Sequence, residues 1–146
     1  KEPVIVNNLL NNLITKHQTL APQKQFSFED SGNAIEVFAD AFHLENAFNN
    51  LLDNAVKYGG DSIVVGLLTT KNTCQITISD SGKTLTKAEA KQIFEKFYRV
   101  PKGNTHDVKG FGIGLYYTKK IIEKHGGSIS VAVNEQTTFK IELPYV

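Results

Sequence analysis

Asn50, Asn54 and Lys57 recur at helical intervals within Asn50-Leu-Leu-Asp-Asn-Ala-Val-Lys-Tyr58. Two amides and an ammonium therefore share one side of a helix. Such a set suits a magnesium–phosphate group, because Mg²⁺ takes hard oxygen ligands, keeps several waters and needs as little as one amide oxygen from a protein. A solvated polar stripe is the competing reading. Asp80 closes an apolar run and is followed by Ser81-Gly82. A carboxylate there can accept a hydrogen bond from an exocyclic amine such as adenine N6, and Gly82 lets the backbone approach a flat ligand. Ordinary turn chemistry also explains an Asp-Ser-Gly. Gly110, Gly112 and Gly114 stand just before a helical stretch, where bare N–H groups bind phosphate; a loop-to-helix hinge is the alternative. Leu115 stands where dinucleotide and protein-kinase loops need a third glycine, and no Gly-x-x-x-x-Gly-Lys-Ser/Thr run exists, which excludes the P-loop classes. Phe94 and Phe97 flank Glu95-Lys96, with Tyr98-Arg99 behind. They read as anchors of an otherwise mobile polar loop, or as the apolar face of a short helix. Arg99 could stabilise charge on a γ-phosphate or simply be solvated.

These residues need elements to hold them. Val4 to Val6 reads as a strand, and Asn7 as the cap of a helix running to about Gln18, with Leu9, Leu10, Leu13 and Ile14 at helical spacing. Gln25 to Glu29 and Ala34 to Phe38 alternate around Asp30-Ser-Gly-Asn33, which predicts a hairpin. A long helix is expected from about Ala41 to Tyr58, stopped by Gly59-Gly60. Ser62 to Leu68 and Thr73 to Asp80 read as strands, the second with Cys74, Ile76 and Ile78 on one face. Ser81 to Phe111 is mostly polar, with a short helix expected around Lys87 to Phe94. A helix from Gly112 to His125, stopped by Gly126-Gly127, precedes strands at Ser128 to Val133 and Thr138 to Leu143. The expected fold is α+β: a two-layer α/β sandwich, helices on one face of a mixed, mostly antiparallel sheet.

Composition narrows the function. The 146 residues fit one domain, and 40% hydrophobic residues suffice for one core. Sixteen basic against fifteen acidic residues leave a net charge of +1, which offers no electrostatic drive toward nucleic acid. The single Cys74 cannot form an internal disulfide. No apolar run approaches the roughly 20 residues that span a bilayer, and no signal-peptide pattern opens the chain. The start, Lys1-Glu-Pro, lacks an initiator Met and reads as a fragment. His17 precedes Pro22 at a phosphoacceptor-like spacing, but Gln18-Thr-Leu-Ala lacks the charged residues of such a motif. His43, His106 and His125 show no metal-ligand pairing.

Taken in order, the motifs resemble the catalytic ATP-binding domain of two-component sensor histidine kinases, in the Bergerat-fold superfamily that includes gyrase, Hsp90 and MutL. The resemblance covers roughly Val4 to Pro144. Asn50 to Tyr58 resembles the N box, Asp80-Ser-Gly82 the first glycine box, and Ile93 to Arg99 the F box. Gly110 to Leu115 resembles the second glycine box, and Thr137-Thr138-Phe139 the final box. The resemblance implies Asn54 as Mg²⁺ ligand, Asn50, Lys57 and Tyr58 near the phosphates, and Asp80 with Gly82 at the adenine. It also implies Gly110, Phe111, Gly112, Ile113, Gly114, Leu115 and Thr138 as nucleotide contacts, Arg99 as the residue assisting transfer, and Lys83 to Phe111 as an ATP lid. By the same resemblance the cofactors are ATP and Mg²⁺. The partners are the parent's own dimerisation and phosphoacceptor domain and a response-regulator receiver domain. The place is the cytoplasmic portion of a membrane-bound sensor. Two positions depart from the pattern: Thr84 replaces the second glycine of the first glycine box, and Gln136 replaces a glycine before Thr137. A degenerate nucleotide- or partner-binding module and an ATPase like Hsp90 or MutL stand as alternatives.

Overall fold

The structure, a computed structural model, describes residues 1–82, 85–96, 98 and 115–145. Strand β1 (Glu2–Ile5) leads directly into helix α1 (Val6–Leu20). Strands β2 (Gln25–Asp30) and β3 (Glu36–Ala39) precede the long helix α2 (Ala41–Tyr58). Strands β4 (Ser62–Thr69) and β5 (Thr73–Asp80) follow, then the short helix α3 (Lys87–Ala90) and helix α4 (Leu115–Lys124). Strands β6 (Ser128–Val133) and β7 (Thr137–Pro144) close the chain.

The main sheet runs β2-β4-β5-β7-β6. Its β2–β4 pair is parallel and the other three pairs are antiparallel. Along β5 alternation is strict: Cys74, Ile76, Ile78 and Asp80 are buried, while Thr73, Gln75, Thr77 and Ser79 are half-buried. The buried face meets the apolar stripes of the helices, chiefly Leu10 and Leu13 of α1, Phe48, Leu51 and Leu52 of α2, and Ile122 of α4. Truncating one fully buried Leu or Ile in this layer is expected to cost about 2–5 kcal/mol. The layered sandwich expected from the order of elements is the one observed.

The hairpin expected from β2 and β3 does not form. β2 pairs with β4, and β3 pairs antiparallel with β1 in a separate two-stranded ribbon. The cause lies in Asn7. Its side chain does not cap α1, whose N-cap is Ile5. Instead Asn7 Oδ1 accepts the Ile35 N–H at 2.7 Å, and its Nδ2 donates to Asp30 at 2.7 Å and to the Asn33 carbonyl at 2.9 Å. The connection between β2 and β3 is thus tied to the first turn of α1, and β3 is turned toward β1. Helix α2 then serves as part of the crossover that a parallel β2–β4 pair requires.

Two further details fix the helices against each other. Asp40 caps α2 by accepting the His43 N–H at 3.1 Å, and its own N–H donates to His125 Nε2 at 3.0 Å. His125 Nδ1 bonds the Ile121 carbonyl at 2.7 Å, so this histidine clips the end of α4 to the start of α2. His17 is buried on α1 and bonds Asn49 at 2.9 Å. Gly126, at φ +79°, stops α4 in the left-handed region where glycine carries no steric penalty. Among the described residues no helix is long and apolar enough to cross a membrane.

Candidate functional site

Helix α2 ends and strand β5 ends at the same corner. Gly59 terminates α2 with φ −87°, so its role is space rather than handedness. A Cβ on Gly59 would lie 2.5 Å from the Ala55 carbonyl oxygen and 2.7 Å from Asp80 Cγ. One on Gly60 would overlap Ser81 and stand 2.7 Å from the Gly82 nitrogen, and one on Gly82 would stand 2.6 Å from the Gly60 nitrogen. Three glycines thus let two backbones meet where side chains would hold them apart. Thr137 ties β7 in, donating to the Gly82 carbonyl at 3.4 Å.

The group delivered by this seam is Asp80. It is 6% exposed, and its Oδ1 accepts the Gly82 N–H at 2.8 Å. Burial pushes the carboxyl above its ordinary value, while the Gly82 and Gly60 amides and the Lys24 ammonium oppose that rise. Two amides do not exhaust a carboxylate's acceptor capacity. Asp80 lies at the wall of a small cleft lined also by Asn54, Ala55, Tyr58, Ile78, Leu85, Ile93, Leu115, Thr137 and Phe139. The cleft is apolar on its flat sides and carries a fixed acceptor, the make-up of a site for a planar, partly polar ring.

Of the residues singled out by sequence, Asn54, Tyr58, Asp80 and Leu115 converge on this cleft, and Gly82 holds Asp80. Asn50 lies one turn away on α2, its amide 3.4 Å from the Thr118 hydroxyl of α4. Lys57 turns to Asp53 at 3.0 Å, and that carboxylate holds the ammonium above its ordinary value. Thr138 stands on the opposite sheet face, its hydroxyl 2.9 Å from that of Ser79; the strand alternation brings the neighbouring Thr137 to the cleft instead. Arg99, Gly110, Phe111, Gly112, Ile113 and Gly114 lie outside the described residues, as do Lys83, Thr84 and the Pro101 to Asp107 stretch.

Another part of the cleft's lining comes from the segment after Gly82. Thr86 and Glu89 form a capping box: Thr86 Oγ1 accepts the Glu89 N–H at 3.0 Å, and Glu89 Oε1 accepts the Thr86 N–H at 2.9 Å. Regular helix stops at Ala90, and turns carry the chain on to Phe94. Leu85 and Ile93 reach the cleft, while Phe94 packs edge-on against Phe139 at 6.2 Å with the Lys119 ammonium 5.7 Å from its ring. Phe94 is thus packed onto β7, and Phe97 lies outside the described residues. Ile93 and Thr137 fall inside motifs already noted but are not singled out there as site residues, and Leu85 carries no site signal of its own; the Thr86-x-x-Glu89 spacing and the period of β7 are the available ones.

Among the described residues Asn54 brings the one side-chain amide in the cleft's lining, a hard oxygen of the kind Mg²⁺ accepts beside water and phosphate. Comparison with known proteins identifies the family and the fold. The family described as histidine kinase-, DNA gyrase B-, and HSP90-like ATPase matches residues 39–146. The chain is 46% identical over 114 residues to the sensor protein RprX of Bacteroides fragilis, covering 74% of this chain and 22% of that protein. It is 33% identical over 144 residues to the signal transduction histidine-protein kinase ArlS of Staphylococcus haemolyticus, covering 96% of this chain and 32% of that protein. Its fold superimposes on a mycobacterial sensor histidine kinase, MprB, with a TM-score of 0.83 at 25% identity, covering 99% of this chain and 97% of that one. The chain thus spans from about a fifth to a third of the length of the curated relatives it matches.

Proposed function

The chain belongs to the histidine kinase-, DNA gyrase B-, and HSP90-like ATPase family, and from that premise we propose that it is the catalytic domain of a two-component sensor kinase. It binds Mg²⁺–ATP and donates the γ-phosphate to a histidine on a separate dimerisation domain. The observation that carries this reading is Asp80: a buried carboxylate, anchored through Oδ1 by a backbone amide, at the wall of an apolar cleft.

In this reading Asp80 accepts from the 6-amino group of adenine, and Gly82 leaves room for the ring edge. Ile78, Leu85, Ile93 and Phe139 cover the ring's faces and exclude water. Asn54 and Tyr58 lie toward the phosphates, with Asn54 offering its amide oxygen to Mg²⁺, which when bound offsets phosphate charge. Asn50 steadies α2 against α4 through Thr118. Lys57 reaches a phosphate only by leaving Asp53, so its part is the smaller one. Thr137 takes the place proposed for Thr138. The segment Gly110 to Gly114, which precedes α4 in the sequence, supplies backbone N–H groups to the phosphates, and Arg99 assists transfer. The acceptor imidazole nitrogen forms the N–P bond as the bond from phosphorus to the ADP oxygen breaks. The phosphate then passes to a receiver domain, and the domain works on the cytoplasmic side of a membrane-bound parent.

The test is titration calorimetry with a non-hydrolysable ATP analogue, with and without Mg²⁺, followed by transfer to a separately supplied acceptor domain. Wild type is expected to bind saturably and to phosphorylate the acceptor, whereas Asn54→Ala loses the Mg²⁺ dependence. Unchanged Mg²⁺ dependence in Asn54→Ala would remove the metal assignment, and absence of binding in folded protein would remove the function.

A further inference from the structure

One lysine outside the cleft is built into its corner. Lys24 lies in the turn between α1 and β2, and its side chain is only 12% exposed. Its Nζ donates to the Gly60 carbonyl at 3.0 Å. Asp61 stands 3.9 Å from the ammonium but is 91% exposed, and so long and wet a pair is too weak to hold a lysine inward. The backbone around Lys24 is fixed as well. Its N–H donates to the Ala21 carbonyl at 3.0 Å, its carbonyl accepts from Gln18 Nε2 at 2.8 Å, and the Gln25 N–H donates to the Asp61 carbonyl at 2.7 Å. The end of α1 therefore reaches the glycine seam through one ammonium.

Resting on the adenine reading of the site, we propose that Lys24 is a positioning residue for base recognition: by holding the Gly60 carbonyl, it keeps the corner of α2 seated against Ser81-Gly82 and so fixes Asp80 as an acceptor for a 6-amino purine. Gly60 is pinned on both sides. Its carbonyl takes the ammonium, while its N–H faces the Asp80 carboxylate. No side chain on Gly60 or Gly82 can be added to hold that approach, because the space is already filled by backbone. An ion–carbonyl bond from behind is a device that does not enter the cleft. The same ammonium also favours the ionised form of Asp80 across the seam, which is the form that can only accept.

The test compares binding of ADP with binding of inosine diphosphate, its 6-oxo counterpart, in wild type, Lys24→Met and Lys24→Arg chains. General loosening would weaken both ligands alike, whereas loss of positioning narrows their ratio. Lys24→Met is expected to lose about tenfold in ADP affinity, the worth of one charge-assisted hydrogen bond, with inosine diphosphate little changed, and Lys24→Arg to restore most of the preference. A folded Lys24→Met chain with the wild-type ratio would overturn the role of Lys24 and leave the site reading intact. Wild type that does not distinguish the two ligands would overturn the Asp80 reading and this inference with it. Should Lys24→Met fail to fold, Lys24→Ser, polar at this partly exposed turn but too short to reach the Gly60 carbonyl, takes its place: a narrowed ratio supports the role of Lys24, and an unchanged ratio overturns it.

Discussion

The two walls of the cleft are made in opposite ways. The seam wall is backbone against backbone: the end of α2 touches the end of β5 through Gly59, Gly60 and Gly82, and the sheet registers behind it leave Asp80 paired with Ile63 on one side and Thr137 on the other. The other wall is side chain against side chain: Leu85 and Ile93 line the cleft, with Phe94 packed on Phe139 behind them, from a segment whose only regular structure, among the described residues, is a four-residue helix with no buried residue. Backbone contacts between glycines have one geometry, while apolar side chains slide and repack at small cost. One wall therefore suits recognition of a fixed edge, and the other suits a surface that must let a ligand enter.

The largest blow to this contrast is expected from Gly82→Ala. Its added Cβ would stand 2.6 Å from the Gly60 nitrogen, costing about 1–3 kcal/mol of stability. By moving the amide that holds Asp80 it should also cost roughly thirtyfold in nucleotide affinity. Calorimetry and thermal melts read both losses, and a variant that melts and binds like wild type would show that the seam tolerates separation. Asp80→Asn should split the two readouts. An amide oxygen can retain the Gly82 N–H, so the corner survives while the charged acceptor is lost, and affinity should fall about tenfold. Stability should move the other way. Burial raises the Asp80 carboxyl in the folded state, so its contribution to stability is present in full below the unfolded value and is lost as pH rises through the folded value. Asp80→Asn should match wild type in acid and melt higher at neutral pH; a lower melting temperature there would sink the burial argument. The smallest effect is expected on the other wall. Thr86→Ala removes one half of the capping box at a local cost of about 1 kcal/mol. It should speed hydrogen exchange at Glu89 and Ala90 with little change in global melting. A global loss as large as that of Gly82→Ala would erase the difference between the walls.

Much of the fold is legible in the sequence, for identifiable reasons. Helix α2 and strand β5 have the bounds expected from their periodicity, because each buries one face along its whole length. The expected β2–β3 hairpin fails because Asn7, far in sequence, ties the intervening turn to α1; local turn signals cannot report a capture by another element. Asp80 is legible as a strand-ending carboxylate. Gly59-Gly60 is legible as a helix stop but not as a packing surface, since contact with Ser81 and Gly82 depends on the register of two elements. Lys24 carries no local signal at all. Thr137 follows from extending the alternation of β7 one step backward from Phe139.

The glycine seam has a consequence for how variation in this chain would be read. Gly59, Gly60 and Gly82 are all half-exposed and flank segments with ordinary turn composition. A substitution scan scored by depth from the surface would rank them among the permissive positions, beside linkers and loop tips. The steric contacts predict the reverse: these three should show the narrow tolerance of core residues, rejecting alanine as firmly as leucine. In this domain the map of replaceable positions and the map of solvent contact should part company at one corner, and that corner is the one proposed to read the base.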